Sequence, residues 1–167
     1  MLRRTDFGEA DRLLTRYSRE LGKIRAIANV ARKPQSRKTL HIELFMRSTL
    51  LLAKGRDLNI VTQAEMLEYY EGLRLSLSRT SYAAYAVELL DRFTVDEDPH
   101  SGIYRLLTEA LGWLAEAPDL LLAARYYELR LLSLAGFQPQ LFRCVRCQEP
   151  IEEQDQFFSA ELGCLLA

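Results

Sequence analysis

Several things are missing from this sequence. No apolar run approaches the roughly 20 residues that a membrane-spanning helix needs, and residues 1–12 are charged and lack an apolar signal core. Neither a membrane span nor export is therefore expected. Cysteine is scarce, at three in 167 residues. Two of the three form Cys144-x-x-Cys147, which suits a reducing compartment with metal or redox chemistry better than a disulfide framework, so the cytoplasm is the expected location. No nucleophile–base pair, Gly-rich phosphate loop or facing pair of acids argues for catalysis, and an enzyme is not expected. Lysine is confined to the first 54 residues.

That confinement belongs to a wider asymmetry. Residues 1–56 hold 14 Lys+Arg against 5 Asp+Glu, a net of +9, while residues 57–167 hold 8 against 18, a net of −10. The overall charge of −1 conceals two halves of opposite sign. A basic module joined to an acidic body suggests nucleic-acid contact on one side only. With 49% hydrophobic and 27% charged residues the chain is globular, and its length suffices for a real core.

The basic half centres on residues 10–38. In residues 12–18, Leu13, Thr15 and Tyr17 alternate with Arg12, Leu14 and Arg16; in residues 23–28, Ile24, Ala26 and Ala28 alternate with Lys23, Arg25 and Ile27. This is a strand period, and Arg19-Glu20-Leu21-Gly22 between them ends in a glycine able to close a hairpin. Pairing the strands is expected to gather Arg12, Arg16, Lys23 and Arg25 on one surface, with Arg19 at its tip, and to leave Tyr17 with Leu13 on the core side. The following loop adds Arg32, Lys33, Arg37 and Lys38 without a carboxylate. Cations packed so densely repel one another unless a polyanion offsets them, which points to phosphate. A merely solvated basic face is the alternative.

Leu40, Ile42, Leu44, Met46, Leu50 and Leu52 fall on one parity and predict a long strand. Residues 54–57 predict a tight turn, after which Leu58, Ile60, Thr62 and Ala64 resume the alternation. With residues 2–5, which read as the tail of a strand, this gives five strands in about 65 residues. A five-stranded OB-fold barrel or an SH3-like barrel satisfies that pattern. Glu65, Glu68 and Glu71, at helical spacing, read as a surface helix.

Helical periodicity then takes over. Tyr82, Tyr85, Ala86, Leu89 and Phe93 predict one apolar stripe, and Tyr104, Leu107, Leu111 and Leu114 predict a second over residues 103–116. A third helix begins with Pro118 in its first turn and is capped by Gly136. It is apolar over most of its circumference, which predicts that the others pack around it. Cys144 and Cys147 can turn two thiolates toward one tetrahedral zinc, as in a zinc ribbon, and Cys164 lies in a strand-like hairpin that returns toward them. A redox pair and two unligated structural cysteines are the alternatives; His41 and His100 belong to other elements.

Residues 2–12 (LRRTDFGEADR), Glu20-Leu21-Gly22-Lys23, Ala31-Arg32-Lys33-Pro34 with Ser36-Arg37, Glu43-Leu44-Phe45, Ala84-Tyr85 with Glu88-Leu89-Leu90, residues 128–132 (ELRLL) and Arg143-Cys144-x-x-Cys147 together resemble the bacterial recombination mediator RecO family. The resemblance implies an α+β protein: an OB-fold-like five-stranded barrel over residues 1–68 with its first strand cut short, a helical domain over 69–140 and a partial zinc-ribbon-like insert over 141–167. It implies binding of single- and double-stranded DNA, strand annealing, and partnership with RecR and single-strand-binding protein in loading RecA, at the nucleoid. Asn29 and Val30 stand where the family commonly has lysine and glycine. Ala167 stands where a second cysteine pair would begin, so zinc ligation by Cys144, Cys147 and Cys164 is expected to be incomplete, as in a shortened member. An RNA-binding OB module and a protein-interaction adaptor that binds no nucleic acid are the competing functional readings.

Overall fold

The computed structural model of the chain describes residues 1–8, 11–29, 42–145, 147–152 and 157–166. Its first part is one sheet of β1 (Arg3–Phe7), β2 (Asp11–Ser18), β3 (Gly22–Ala28), β4 (Arg47–Ala53) and β5 (Asn59–Glu68), in the spatial order β1-β2-β3-β5-β4. All neighbours are antiparallel except β3 and β5, which run parallel through Ala26–Asn59 and Ile27–Ile60. This crossover separates an OB-fold-like topology from the SH3-like meander that periodicity alone also allowed. The sheet is not closed into the expected barrel: β1 and β4 are its two edges.

The β2–β3 hairpin forms where alternation and the glycine placed it. Gly22 has φ +65°, and a Cβ there would lie 2.3 Å from the carbonyl oxygen of Asp98, so both backbone angle and close approach demand glycine. The long strand is shorter than expected, since β4 begins only at Arg47. Phe45 takes φ +59° and Met46 N donates to Glu43 O, so the chain turns before the strand starts. On β5 the buried residue is Val61, while Thr62, expected inside, is exposed. Leu52 pairs with Val61 but Leu51 with Gln63, which makes Thr62 the extra residue of a bulge and reverses the alternation. Its hydroxyl donates to Leu51 O at 2.9 Å. Glu65 and Glu68 also lie on β5 rather than on a surface helix, and Glu71 opens a 3-10 turn, Glu71–Arg74.

Three helices follow: α1 (Leu77–Phe93), α2 (Ser101–Glu116) and α3 (Leu120–Leu134). The α1 stripe is rotated from expectation. Ala83, Ala86, Val87 and Leu90 are buried, whereas Tyr85 and Phe93 are exposed. Alanine at 83 and 86 lets α3 approach, and the hydroxyl of buried Tyr127 donates to Ala86 O at 2.9 Å. The central helix is α2, not α3. It buries Ile103, Leu106, Leu107, Ala110, Leu111 and Leu114, while α3 buries only Ala124, Tyr127 and Leu131 and exposes Leu121, Leu122 and Leu129. Apolar composition showed that α3 packs, but not how much of it is covered. Its caps are clear: Asp119 Oδ1 accepts from Leu122 N, and Gly136 takes φ +82°. Pro118 precedes the cap rather than filling the first turn.

Two cores result. Leu14, Ala26, Ala28, Ile42 and Val61 fill the inside of the sheet. The helical core reaches across to the sheet through Leu2, Tyr17 and Phe45. A two-stranded hairpin, β6 (Phe157–Ser159) and β7 (Cys164–Leu166), is tied by Gln140 N donating to Gly163 O. No helix among the described residues is long and apolar enough to cross a membrane.

Candidate nucleic-acid interface

The hairpin register divides the expected cationic surface between two faces. Arg16 is opposite Ile24, Leu14 opposite Ala26 and Arg12 opposite Ala28, while Tyr17 is opposite Lys23 and Thr15 opposite Arg25. Arg12 and Arg16 therefore share the inward parity with fully buried Leu14, and Lys23 and Arg25 lie on the other face. The four do not gather on one surface. The cause is legible in β2, which carries large apolar side chains on both parities, so the cations did not mark the outer one.

Each of these cations has a distinct setting. Arg16 is buried, and burial lowers its guanidinium pKa to about 10. Arg12 lies 3.8 Å from Asp6 and 3.7 Å from Glu43, and Arg4 also meets Glu43. Lys23 is buried against the end of α1, its Nζ donating to Asp91 O and Thr94 O at 2.7 Å each and to Asp91 Oδ1 at 3.2 Å. Arg25 is half exposed and pairs with Asp96 Oδ2 at 2.6 Å through Nη2 and 3.2 Å through Nε. That hydrogen bond, with the facing charge, raises the Arg25 pKa and lowers that of Asp96. The polyanion that offsets Lys23 and Arg25 is thus supplied by the chain's own acidic half. Arg19 is exposed in the hairpin turn and makes no ion pair with another described residue. Arg32, Lys33, Arg37 and Lys38 lie outside the described residues.

Sequence reading passed over Lys54 and Arg56. It took residues 54–57 only as a turn, yet this loop joins β4 to β5, and in OB-folds that loop takes part in ligand binding. Gly55 keeps it tight, since a Cβ there would lie 2.1 Å from Leu58 O. Lys54 and Arg56 are exposed, have no ion pair with another described residue, and line an open cleft of about 440 Å³ together with Arg25, Asp96 and Glu97. The signal that could have found them was the topology, two cations placed in the β4–β5 connection.

At the other end of the chain, Cys144 is buried and Cys147 exposed. They share a turn closed by Gln148 N donating to Cys144 O and Cys144 N to Glu149 O, with Gln148 at φ +62°. Such a turn suits two thiolate ligands, half of a closed tetrahedral site. Cys164 is on β7, its backbone opposite Ser159. His100 caps α2, its Nδ1 accepting from Ile103 N, and His41 lies outside the described residues. No cluster of three or more His, Cys, Asp or Glu able to hold a metal is found among the described residues. Cys144 and Cys147 are thus placed to supply two thiolate ligands.

Comparison with known families settles what this sheet-and-helix arrangement is. Residues 1–70 match the family model "Recombination protein O N terminal", and residues 74–167 match "Recombination protein O C terminal". The chain belongs to the RecO family. Its relatives include the "DNA repair protein RecO" of Pelotomaculum thermopropionicum, 42% identical over 163 residues that cover 98% of this chain and 63% of that protein. The proteins of the same name from Roseiflexus sp. and Dehalococcoides mccartyi are 42% and 32% identical over 98% and 99% of this chain, and 57% and 66% of their own lengths. The chain thus spans about three fifths of the length of the RecO relatives it matches. The two RecO models meet around the 3-10 turn that leads from the sheet into α1.

Proposed function

We propose that this chain is a DNA repair factor that binds single- and double-stranded DNA through its basic half, anneals complementary strands without catalysis, and assists RecR in loading RecA onto strands covered by single-strand-binding protein. The observation that carries the reading is an OB-fold-like sheet, bearing exposed cations at its turns, in a chain whose relatives are named DNA repair proteins. Arg19 and the run Arg32, Lys33, Arg37 and Lys38 are assigned to the phosphate backbone. Arg16 and Lys23 are reassigned to folding, because both are buried. Arg12 is held between carboxylates and contributes less than the sequence suggested.

The mechanism asks little of the protein beyond charge. Neutralising phosphates on two strands at once removes much of the repulsion between them, and base pairing then proceeds unaided. Zinc, if bound, belongs at Cys144 and Cys147 with Cys164 as third candidate, where it would brace the turn and take no part in strand pairing.

Titration of single-stranded DNA across a salt series tests the reading. Neutralising Arg32, Lys33, Arg37 and Lys38 together is expected to weaken all sequences about equally and to flatten the log–log salt slope by roughly 0.7 per lost contact. An unchanged slope rules this run out as the DNA surface. Equal or greater affinity for RNA of the same length supports the RNA-binding alternative, and no binding of either leaves the adaptor reading.

A further inference from the structure

The acidic half of the chain reaches into the basic half at one place. The connection between α1 and α2 runs alongside the first residues of β3, where β5 does not extend. Asp96 makes a parallel bridge with Lys23, Glu97 N donates to Lys23 O at 2.9 Å, and Asp98 abuts Gly22. These backbone contacts hold the Asp96 carboxylate over Arg25. Lys54 and Arg56 line the same cleft from the β4–β5 loop, with Asp57, Asp96 and Glu97 as its acids.

The two cationic groups of the β4–β5 loop lack a partner among the described residues, whereas Arg25 has one that is easily displaced. An exposed guanidinium–carboxylate pair contributes little, because water screens it. A phosphodiester offers Arg25 the same bidentate geometry as a carboxylate, and here it would gain Lys54 and Arg56 as well. Lys23 is different: it is sealed beneath the connection and serves as its anchor.

We propose that the cleft formed by Arg25, Lys54 and Arg56 is a second binding site for the phosphates of a nucleic-acid backbone, and that Asp96 occupies it as an internal competitor until nucleic acid displaces it. This deepens the DNA reading above and rests on it. The connection then works as a charge filter. A single anion does not repay the loss of the Asp96 contact, while a strand engaging several cations does.

Binding of a single-stranded oligonucleotide, followed by fluorescence anisotropy over a salt series, tests the proposal in the full chain. Asp96→Asn is expected to tighten binding about two- to fivefold, the factor that an exposed ion pair supplies, and to steepen the salt slope by roughly 0.7 for the freed contact. The gain is expected to vanish in an Arg25→Gln background and to be absent from Glu116→Gln, which makes the same charge change outside the cleft. Lys54→Gln with Arg56→Gln is expected to weaken binding and flatten the slope by roughly 1.4. Both side chains are exposed, so this variant keeps the cleft testable even where Asp96→Asn impairs folding. A gain from Asp96→Asn that persists without Arg25, or an equal gain from Glu116→Gln, overturns the competitor. An unchanged slope on loss of Lys54 and Arg56 overturns the site, and if the wild type still binds with a normal slope the DNA reading survives. Absence of salt-dependent binding by the wild type overturns the DNA reading and the cleft together.

Discussion

The ammonium of Lys23 on β3 lies 3.2 Å from Asp91 Oδ1 at the end of α1, and donates at 2.7 Å to the carbonyls of Asp91 and Thr94. One side chain thus satisfies the C-terminal carbonyls of a helix, favours the negative end of its dipole, and ties helix to sheet. Lys23→Met keeps most of the stem but leaves these acceptors without their charged donor. The expected cost is about 1.5–3 kcal/mol, the range for hydrogen bonds to charged groups, read as a lower midpoint in urea unfolding. The salt slope of DNA binding is expected to stay unchanged where the variant is folded, because the ammonium is buried.

That pair also shows where sequence reading reached its limit. The strands of the hairpin, the glycine at 22 and the glycine that ends α3 were legible, because alternation, φ > 0 and C-capping are local properties. The partners of Lys23 and Arg25 lie 68 to 71 residues away, and no local pattern links them. The same holds for the facing of β2, where Leu13 was expected on the core side and Leu14 beside the cations, and only packing against Ala26 and Ala28 puts Leu14 in the core. The bulge at Thr62 cannot be read from a strand without its partner's register. On α1, tyrosines looked like the core because they are large. The helix instead turns Ala83 inward beside the expected Ala86, and leaves Tyr85 outside to donate to Glu128 at 2.8 Å.

The Asp96 carboxyl is held below its ordinary 3.8, first by the hydrogen bond from Arg25 and then by the charges of Arg25 and Lys23. A depressed folded pKa gives stability that is fully present above the unfolded value and is lost as pH falls through the folded one. Wild type and Asp96→Asn are therefore expected to differ by a constant amount at neutral pH and to converge below about pH 3.8. Because the pair is exposed, the difference is small. Unfolding free energies across pH 3 to 7, on the order of half-unit steps, measure it. A gap that widens in acid would contradict the ion pair.

Annealing of complementary oligonucleotides is expected to proceed without ATP and to be suppressed as salt rises, since its only driving contribution from the protein is phosphate neutralisation. Strand pairing followed by a fluorescent reporter, with and without nucleotide, decides this. A requirement for nucleotide hydrolysis would move the protein into another class.

Tyr127 is fully buried at the meeting of α1 and α3, its phenol held above the ordinary range chiefly by burial. Removing the hydroxyl alone leaves Ala86 O short of its side-chain donor while the ring still fills the core. Tyr127→Phe is expected to cost about 1 kcal/mol. Tyr127→Ala, which opens a ring-sized cavity as well, is expected to cost about 3–5 kcal/mol. Thermal unfolding of the two variants separates the hydrogen bond from the packing. Equal losses would mean that the ring contributes nothing, contrary to its complete burial.

The cysteine turn yields the last expectation. Closed structural zinc sites take four protein ligands, and the thiols of Cys144 and Cys147 are two. With Cys164 as the third candidate the expected set is one ligand short, so any zinc held by this chain is expected to keep a position open to water and competing ligands. Protein purified without chelator is therefore expected to carry less than one zinc per chain and to lose it to mild chelation. Cys144→Ser with Cys147→Ser is expected to leave the DNA salt slope unchanged, because neither residue lies in the basic half. One zinc per chain that resists mild chelation would show that another ligand completes the site, with Cys164 the first to test by substitution. A metal that survives Cys164→Ser as well would place the remaining ligands among residues that the sequence did not single out.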